Sequence, residues 1–307
     1  MNFTLIPKAE AHVLYIADEA SVAQYSGENF NLIEEPFHHA TNILLMMGFL
    51  ILALVLIRWF TKSKLLMKKS KSVVQRAVSY YDLVPWMIRL SLGIALIGAG
   101  ASDWFISPVL AGYHVLSFTQ MILGFFLLIG FMTSIVSIAV AALFVLALTT
   151  NFYFLGALDF FALSVSLIIM DARRPGLDDM LNLPVIKFPN LRKYVPVILR
   201  IGAGASLVFL AIYEKFLNPE LAAYIVQITN LQSVINVSPS MWVVSSGLIE
   251  LALGLLLIFG IWTRAVAAFT FIVLSFTFFY FGENVVSHIT LFGILSVLFI
   301  VGGKRLK

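Results

Sequence analysis

Few groups in this chain are placed to do chemistry. Glu250 opens an almost wholly apolar stretch at 250–264, Glu-Leu-Ala-Leu-Gly-Leu-Leu-Leu-Ile-Phe-Gly-Ile-Trp-Thr-Arg. If its helix begins near Met241, Glu250 lies about 13 Å along the axis. That is near the middle of a hydrocarbon layer roughly 30 Å thick. A charge there costs roughly 2.5–3.5 kcal/mol or more unless it is paired, hydrated or protonated, so such a group is a functional candidate by default. The competing reading is a hydrogen-bonded structural carboxyl. Gly254, one turn on, lets a second backbone come close to the same face. His288 lies about one turn into the last apolar run. It reads as a ligand or proton carrier, or as an interfacial histidine on a backbone carbonyl.

Glu214 and Arg200 are 14 residues apart, about 21 Å on one helix and on nearly the same face. Asp103 and Arg89 repeat that spacing. The simplest reading of both arginines is a boundary anchor that snorkels to the headgroups. Lys215 beside Glu214 reads most simply as an ion pair at the boundary. His38 and His39 are adjacent and cannot share one helix face, so a metal would need a third ligand from elsewhere. No metal site is expected. The absence of cysteine excludes a thiol–disulfide relay, a Cys-ligated iron–sulfur cluster and any disulfide. No Walker loop, dinucleotide glycine fingerprint, His-Glu-x-x-His or nucleophile elbow is present.

The elements that would hold these groups are membrane helices. Hydrophobic residues make up 61% of the 307, and charged residues 12%, about half the share of a soluble domain. The net charge of +4 comes mostly from clusters just outside the apolar runs. Basic residues so placed set orientation and meet anionic lipid; they do not indicate nucleic acid. Residues 1–16 have no uninterrupted apolar core, so no signal peptide is expected.

Spans are expected at 42–60, then at about 84–104, 118–132, 134–152 and 154–171, then at about 195–216, 241–261, 265–281 and 285–302. The second set repeats the first. At an offset of 111, Val84-Pro85-x3-Arg89 aligns with Val195-Pro196-x3-Arg200, and Gly93/Gly204, Asp103/Glu214 and Pro108/Pro219 coincide. At an offset of 130, Gly124/Gly254, Gly130/Gly260 and Thr133/Thr263 coincide, with Gln120 standing where Glu250 stands and Ser134 where Arg264 stands. The change of offset places an insertion at 220–240, where 220–227 reads as a short helix on the outer surface.

The expected fold is therefore an all-α integral membrane protein of nine transmembrane helices, one plus two tandem parallel four-helix repeats. The divisions are an outer tail at 1–40, a first span at 41–61, a basic linker at 62–82, unit one at 83–175, a linker at 176–192 and unit two at 193–303. Within the tail, 13–16 alternate weakly like a strand. The lysines and arginines from Lys62 to Arg76 predict a cytoplasmic linker and an outside N-terminus. That arrangement puts 18 of the 20 lysines and arginines inside, all but Lys8 and Lys215. It puts His12, His38, His39, His114 and His288 outside, with Asp103, Asp159, Glu214, Lys215 and Glu283 at similar outer depths.

These residues resemble the DoxX family of membrane proteins. Its second helix carries Glu-x3-Gly-x5-Gly-x2-Thr-Arg, matched by Glu250, Gly254, Gly260, Thr263 and Arg264. The Arg-containing helix before it, Lys215-Phe216 and His288-Ile-Thr-Leu-Phe-Gly also look like the family. The likeness is good over about 193–303 and degenerate over 83–175. Unit one departs at Gln120, Ser134 and Trp104. Ala11-His12-Val13 and the overall layout look like the larger DoxX-type proteins. The spans and the placement of lysine and arginine imply a multi-pass protein of the cell membrane with a cytoplasmic C-terminus, and the resemblance implies a membrane subunit of a quinone-linked redox system. On that reading Glu250, His288 and Glu214 do the chemistry, and Gly254, Lys215 and Arg200 contact the quinone. The alternatives are a binding or transport protein for a small solute or metal at the outer face, and a scaffold for a membrane complex.

Overall fold

The structure is a computed structural model that describes residues 19–27, 29–48, 51, 55, 64–170, 172, 175–184, 188–282 and 284–302. The strand expected at 13–16, His12, most of the span at 42–60, Glu283 and the basic residues at 304–307 lie outside these residues. Two short helices come first, α1 (Glu19–Tyr25) and α2 (Phe30–His38). Residues 40–48 are also helical. Then follow α3 (Lys64–Val78), α4 (Val84–Ala101), α5 (His114–Ile129), α6 (Thr133–Thr150) and α7 (Leu158–Ile169). The last five are α8 (Val195–Leu210), α9 (Pro219–Ile228), α10 (Pro239–Phe259), α11 (Thr263–Phe281) and α12 (Val285–Val301). No strand occurs among the described residues.

Six helices are long and apolar enough to cross a membrane: Tyr81–Ala101, Thr133–Thr150, Phe152–Ile169, Val195–Phe216, Pro239–Phe259 and Thr263–Phe281. His114–Ile129 and Val285–Val301 are apolar but shorter.

Proline and glycine set the helix ends. Pro85, Pro196 and Pro239 sit in the first turns of α4, α8 and α10, where no helical N–H bond is lost. Gly130 and Gly260 close α5 and α10 at φ 69° and 71°, a left-handed conformation that glycine adopts without a Cβ penalty. The helices therefore end at Ile129 and Phe259, a little before the expected 132 and 261.

In the first half α4 packs on α5 and α7, α5 on α6, and α6 on α7. In the second half α8 packs on α10 and α12, α10 on α11, and α11 on α12. The halves join where α7 lies on α8 and α12 on α4. Each of these four joining helices buries side chains completely, among them Leu92, Leu163, Leu199, Ile294 and Leu298. Two glycine pairs let backbones cross closely. A Cβ on Gly93 would lie 2.9 Å from Gly124 O, and one on Gly204 would lie 2.6 Å from Gly254 O.

Arg89 does not snorkel. It is 1% exposed, and its guanidinium donates to Ala172 O at 2.7 Å and Pro175 O at 2.5 Å. The local reason is that the backbone leaving α7 turns back across the end of the bundle and offers these carbonyls. Arg264 acts similarly on α12, donating to Phe299 O at 3.0 Å and to Ile300 O and Val301 O at 3.1 Å. A cation is favourable at a helix C-terminus because the last carbonyls lack partners and the helix dipole is negative there.

Helix α9 is more than a surface helix. It packs on α10 and buries Leu221, Ala222, Ala223 and Val226. Helices α1 and α2 pack on α9 in turn, and α2 also reaches α10. Asn29 Nδ2 donates to Glu220 Oε1 at 2.7 Å, Ser21 Oγ lies 3.2 Å from Tyr224 Oη, and the Tyr25 and Tyr224 rings stack at 4.2 Å. The segment expected to be a polar tail thus forms, over 19–38, a helical cover on the second half.

Candidate functional site

Beneath α9, on which that cover packs, lies a cavity of about 220 Å³. Its volume falls somewhat below the ~300–1,000 Å³ of drug-sized ligand sites. Its polar lining is Glu214, Lys215, Ser246, Glu250, Thr277 and His288. The rest is apolar and includes Trp242, Leu274 and Phe281.

Each polar group has a structural reason to be there. Glu214 and Lys215 come from a π-helical turn, Ala211–Phe216, that continues α8. Adjacent residues of an α-helix diverge by about 100°. A π turn closes i→i+5 bonds, holds more residues per turn and so narrows that angle, a distortion found often at functional sites. Here two consecutive side chains reach one cavity. Asn218 Nδ2 donates to Tyr213 O at 2.8 Å and so satisfies a carbonyl beside the distortion. Glu250 lies 11 residues into α10, about 16 Å along it. His288 comes from the first turn of α12 after the Asn284 cap, whose side chain accepts from Val286 N.

Glu214 is 6% exposed and accepts a hydrogen bond from Tyr153 Oη of the first half. Lys215 Nζ lies 3.4 Å from Glu214 Oε2. Glu250 is half-buried, and the charged groups that act on it are Lys215, Glu214 and His288. No hydrogen bond joins Glu250 to any described residue. Its counterpart by sequence alignment behaves differently. Gln120 is fully buried, accepts from Ile106 N at 2.9 Å and donates to Trp104 O at 2.6 Å. Gln120 is wired to backbone, whereas Glu250 faces open space among charges.

A second, smaller cavity of about 80 Å³ adjoins the first, with His288, Leu210 and Leu291 common to both linings. Its polar wall includes Tyr153, Asp159, Ser206, His288 and Thr290. Asp159 is buried in the first turn of α7. Its Oδ1 accepts from Ser206 Oγ at 3.2 Å, its N–H donates to Ser206 Oγ at 2.9 Å, and Thr290 bonds its carboxylate. His288 is 5% exposed, with its ring edge-on to Phe292. It therefore stands between Asp159 on one side and Glu214, Lys215 and Glu250 on the other.

Of the six residues singled out in sequence, Glu214, Lys215, Glu250 and His288 line one cavity. Gly254 and Arg200 do not. Gly254 faces Gly204 where α8 crosses α10, and the Arg200 guanidinium packs against Gly260 at the opposite end of the bundle. Sequence spacing did not find Tyr153, Ser206, Thr290, Trp242 or Thr277. Tyr153 is 61 residues from Glu214 and has no local signal, because it enters from the other half. His38 and His39 are exposed. Among the described residues, no three His, Asp or Glu side chains come together in a way that could hold a metal ion.

Much of the cavity's outer wall is α11, through Leu274, Thr277 and Phe281. That helix is the barest of the six long apolar ones, only 17% buried, and it turns Phe269, Ile272, Phe276 and Phe279 outward. No curated protein and no solved structure matches the chain. The DoxX family model matches residues 195–283, from the start of α8 to just short of α12 and its His288. The part of this multi-pass membrane protein that builds most of the cavity is thus a DoxX domain.

Proposed function

We propose that the chain is the membrane subunit of a quinone-linked redox system, with the quinone headgroup held in the cavity beside Glu250. The observation that carries this reading is the contrast between Glu250 and Gln120. One position holds a backbone-bonded amide. The other holds a carboxylate with no hydrogen-bond partner among the described residues, set in a cavity with Lys215, Glu214 and His288. An ionisable group is costly at that depth, and a ligand explains its retention.

The residues present fit such a headgroup. Lys215 and His288 can donate to its oxygens, Glu250 and His288 can exchange protons with it, and Trp242 and Phe281 supply aromatic wall. A bound quinone would take up electrons and protons. The chain has no cysteine for a cluster, so the electron donor would be a partner protein. Tyr153 fixes Glu214, which holds the Lys215 ammonium toward the cavity. Asp159, Ser206 and Thr290 continue the polar line past His288 toward the first half.

The proposed architecture is nine spans, a first helix and two tandem four-helix units. Helices α4, α5, α6 and α7 would form one unit, and α8, α10, α11 and α12 the other. The reciprocal contacts of α7 with α8 and α12 with α4 support two units related by an axis along the membrane normal. In the cell membrane the N-terminus would lie outside and the C-terminus in the cytoplasm, as the distribution of lysine and arginine favours.

The test is binding of a short-chain quinone to the purified protein, followed by quenching of tryptophan fluorescence. Wild type should bind, and Glu250→Gln and His288→Ala should not, while both variants keep the helical content of wild type. Unchanged binding in both variants would remove the assignment. The small volume of the cavity favours a second reading, a non-redox site for a small polar solute. In that case the quinone would fail to bind to wild type, and the scaffold reading would stand if a partner co-purified with all three proteins.

A further inference from the structure

Two turns at the arginine end of the bundle share one backbone. Gly130 and Met132 precede α6 at φ 69° and 49°, and Gly260 and Trp262 precede α11 at φ 71° and 47°. An arginine packs on each glycine, Arg89 on Gly130 and Arg200 on Gly260. The first turn is filled. Asp178 accepts from Met132 N at 2.6 Å, from Thr133 N at 2.8 Å and from Thr133 Oγ1 at 2.7 Å. Asp178 is buried, and the charge of Arg89 acts alongside it. A carboxylate thus rests on three donors at a helix N-terminus beside a guanidinium.

The second turn has the same donors and, among the described residues, no such acid. No side chain among the described residues caps α11. Thr263 is 4% exposed, yet its Oγ1 has no hydrogen-bond partner among the described residues. The matching backbone angles give Thr263 the place in this turn that Thr133 holds in the first. A buried hydroxyl left without a partner costs free energy, and helix N-termini bind anions through unpaired N–H groups and the dipole. Phe259, Ile261 and Trp262, at 60% for Trp262, are exposed around the turn. An apolar fringe around an anion cradle suits a headgroup at a membrane surface, where aromatic side chains collect.

We propose that the turn Gly260–Ile261–Trp262–Thr263 binds the phosphate of an anionic membrane lipid. Trp262 N, Thr263 N and Thr263 Oγ1 would donate to it, and Arg200 would be the adjacent cation. This site is at the opposite end of the bundle from the cavity and does not depend on the quinone reading.

The test uses the full chain in detergent. Thermal unfolding is followed during titration with phosphatidylglycerol, with phosphatidylcholine, and with inorganic phosphate in phosphatidylcholine. Phosphatidylglycerol should raise the unfolding temperature of wild type and of Thr263→Ser. Thr263→Val should bind it about tenfold or more weakly, the loss expected for a hydrogen bond to a charged group. Without anionic lipid, Thr263→Val should be at least as stable as wild type, because it removes an unsatisfied hydroxyl. A full phosphatidylglycerol response in Thr263→Val would overturn the proposal. An equal response of wild type to inorganic phosphate alone would overturn the lipid assignment and leave a free-phosphate site.

Discussion

At the scale of single residues, Gln120 and Glu250 occupy aligned positions with opposite demands. Gln120 needs both halves of its amide, one to accept from Ile106 N and one to donate to Trp104 O. Gln120→Glu removes the donor and takes this hydrogen bond from the Trp104 carbonyl. It should lower stability by about 1–3 kcal/mol, read as a fall in unfolding temperature. Glu250→Gln removes a charge and breaks no bond to a described residue, so the unfolding temperature should hold or rise while ligand binding is lost. Tyr153→Phe leaves the buried Glu214 carboxylate one donor short. It should cost about 1.5–3 kcal/mol and weaken ligand binding by releasing Lys215. The acids, the lysine and the histidine of the cavity were legible in sequence, because a charge inside an apolar run is conspicuous. Tyr153, Ser206 and Thr290 were not. A hydroxyl in an apolar run fits the bilayer either way, and only the packing of α7, α8 and α12 shows what it meets.

At the scale of elements, helix ends followed from proline and glycine chemistry, to within a few residues. Distortions inside helices did not. Nothing in Ala-Ile-Tyr-Glu-Lys-Phe distinguishes a π turn from an α-helix, and the bonds that accompany it, from Asn218 to Tyr213 O and from Tyr153 to Glu214, come from outside the stretch. Deleting Ile212 should restore α-helical spacing and carry Lys215 away from the cavity. The variant should insert and fold, yet bind ligand no better than Glu250→Gln. The glycine crossing gives a contrasting outcome. A Cβ on Gly254 would lie 2.7 Å from Gly204 O and 3.0 Å from Val208 N, backbone atoms that cannot step aside. Gly254→Ala should therefore spread α8 from α10 and cost about 1–3 kcal/mol, as overpacking does. Its unfolding temperature should fall even without ligand.

At the scale of the whole molecule, the absence of cysteine makes the proposed sidedness directly testable. Tyr80 and Tyr113 are both exposed and lie at opposite ends of the α4–α5 pair. In intact cells, a membrane-impermeant maleimide should label Tyr113→Cys and spare Tyr80→Cys until the membrane is opened. The reverse pattern would invert the topology. The membrane class and most of the helix order were visible in the chain, because length and hydropathy are dictated by the bilayer. The covering of the second half by α1, α2 and α9 was not, because those helices are short, partly polar and stable only through what they pack on. That cover has a consequence for supply. With α9 lining the cavity under α1 and α2 and α11 bare at the side, a ligand would arrive already dissolved in lipid. In a homologous series of ligands with lengthening alkyl tails, affinity expressed against the aqueous concentration would then climb by about 0.8 kcal/mol per added methylene. Expressed against concentration in the bilayer, the same series would be flat.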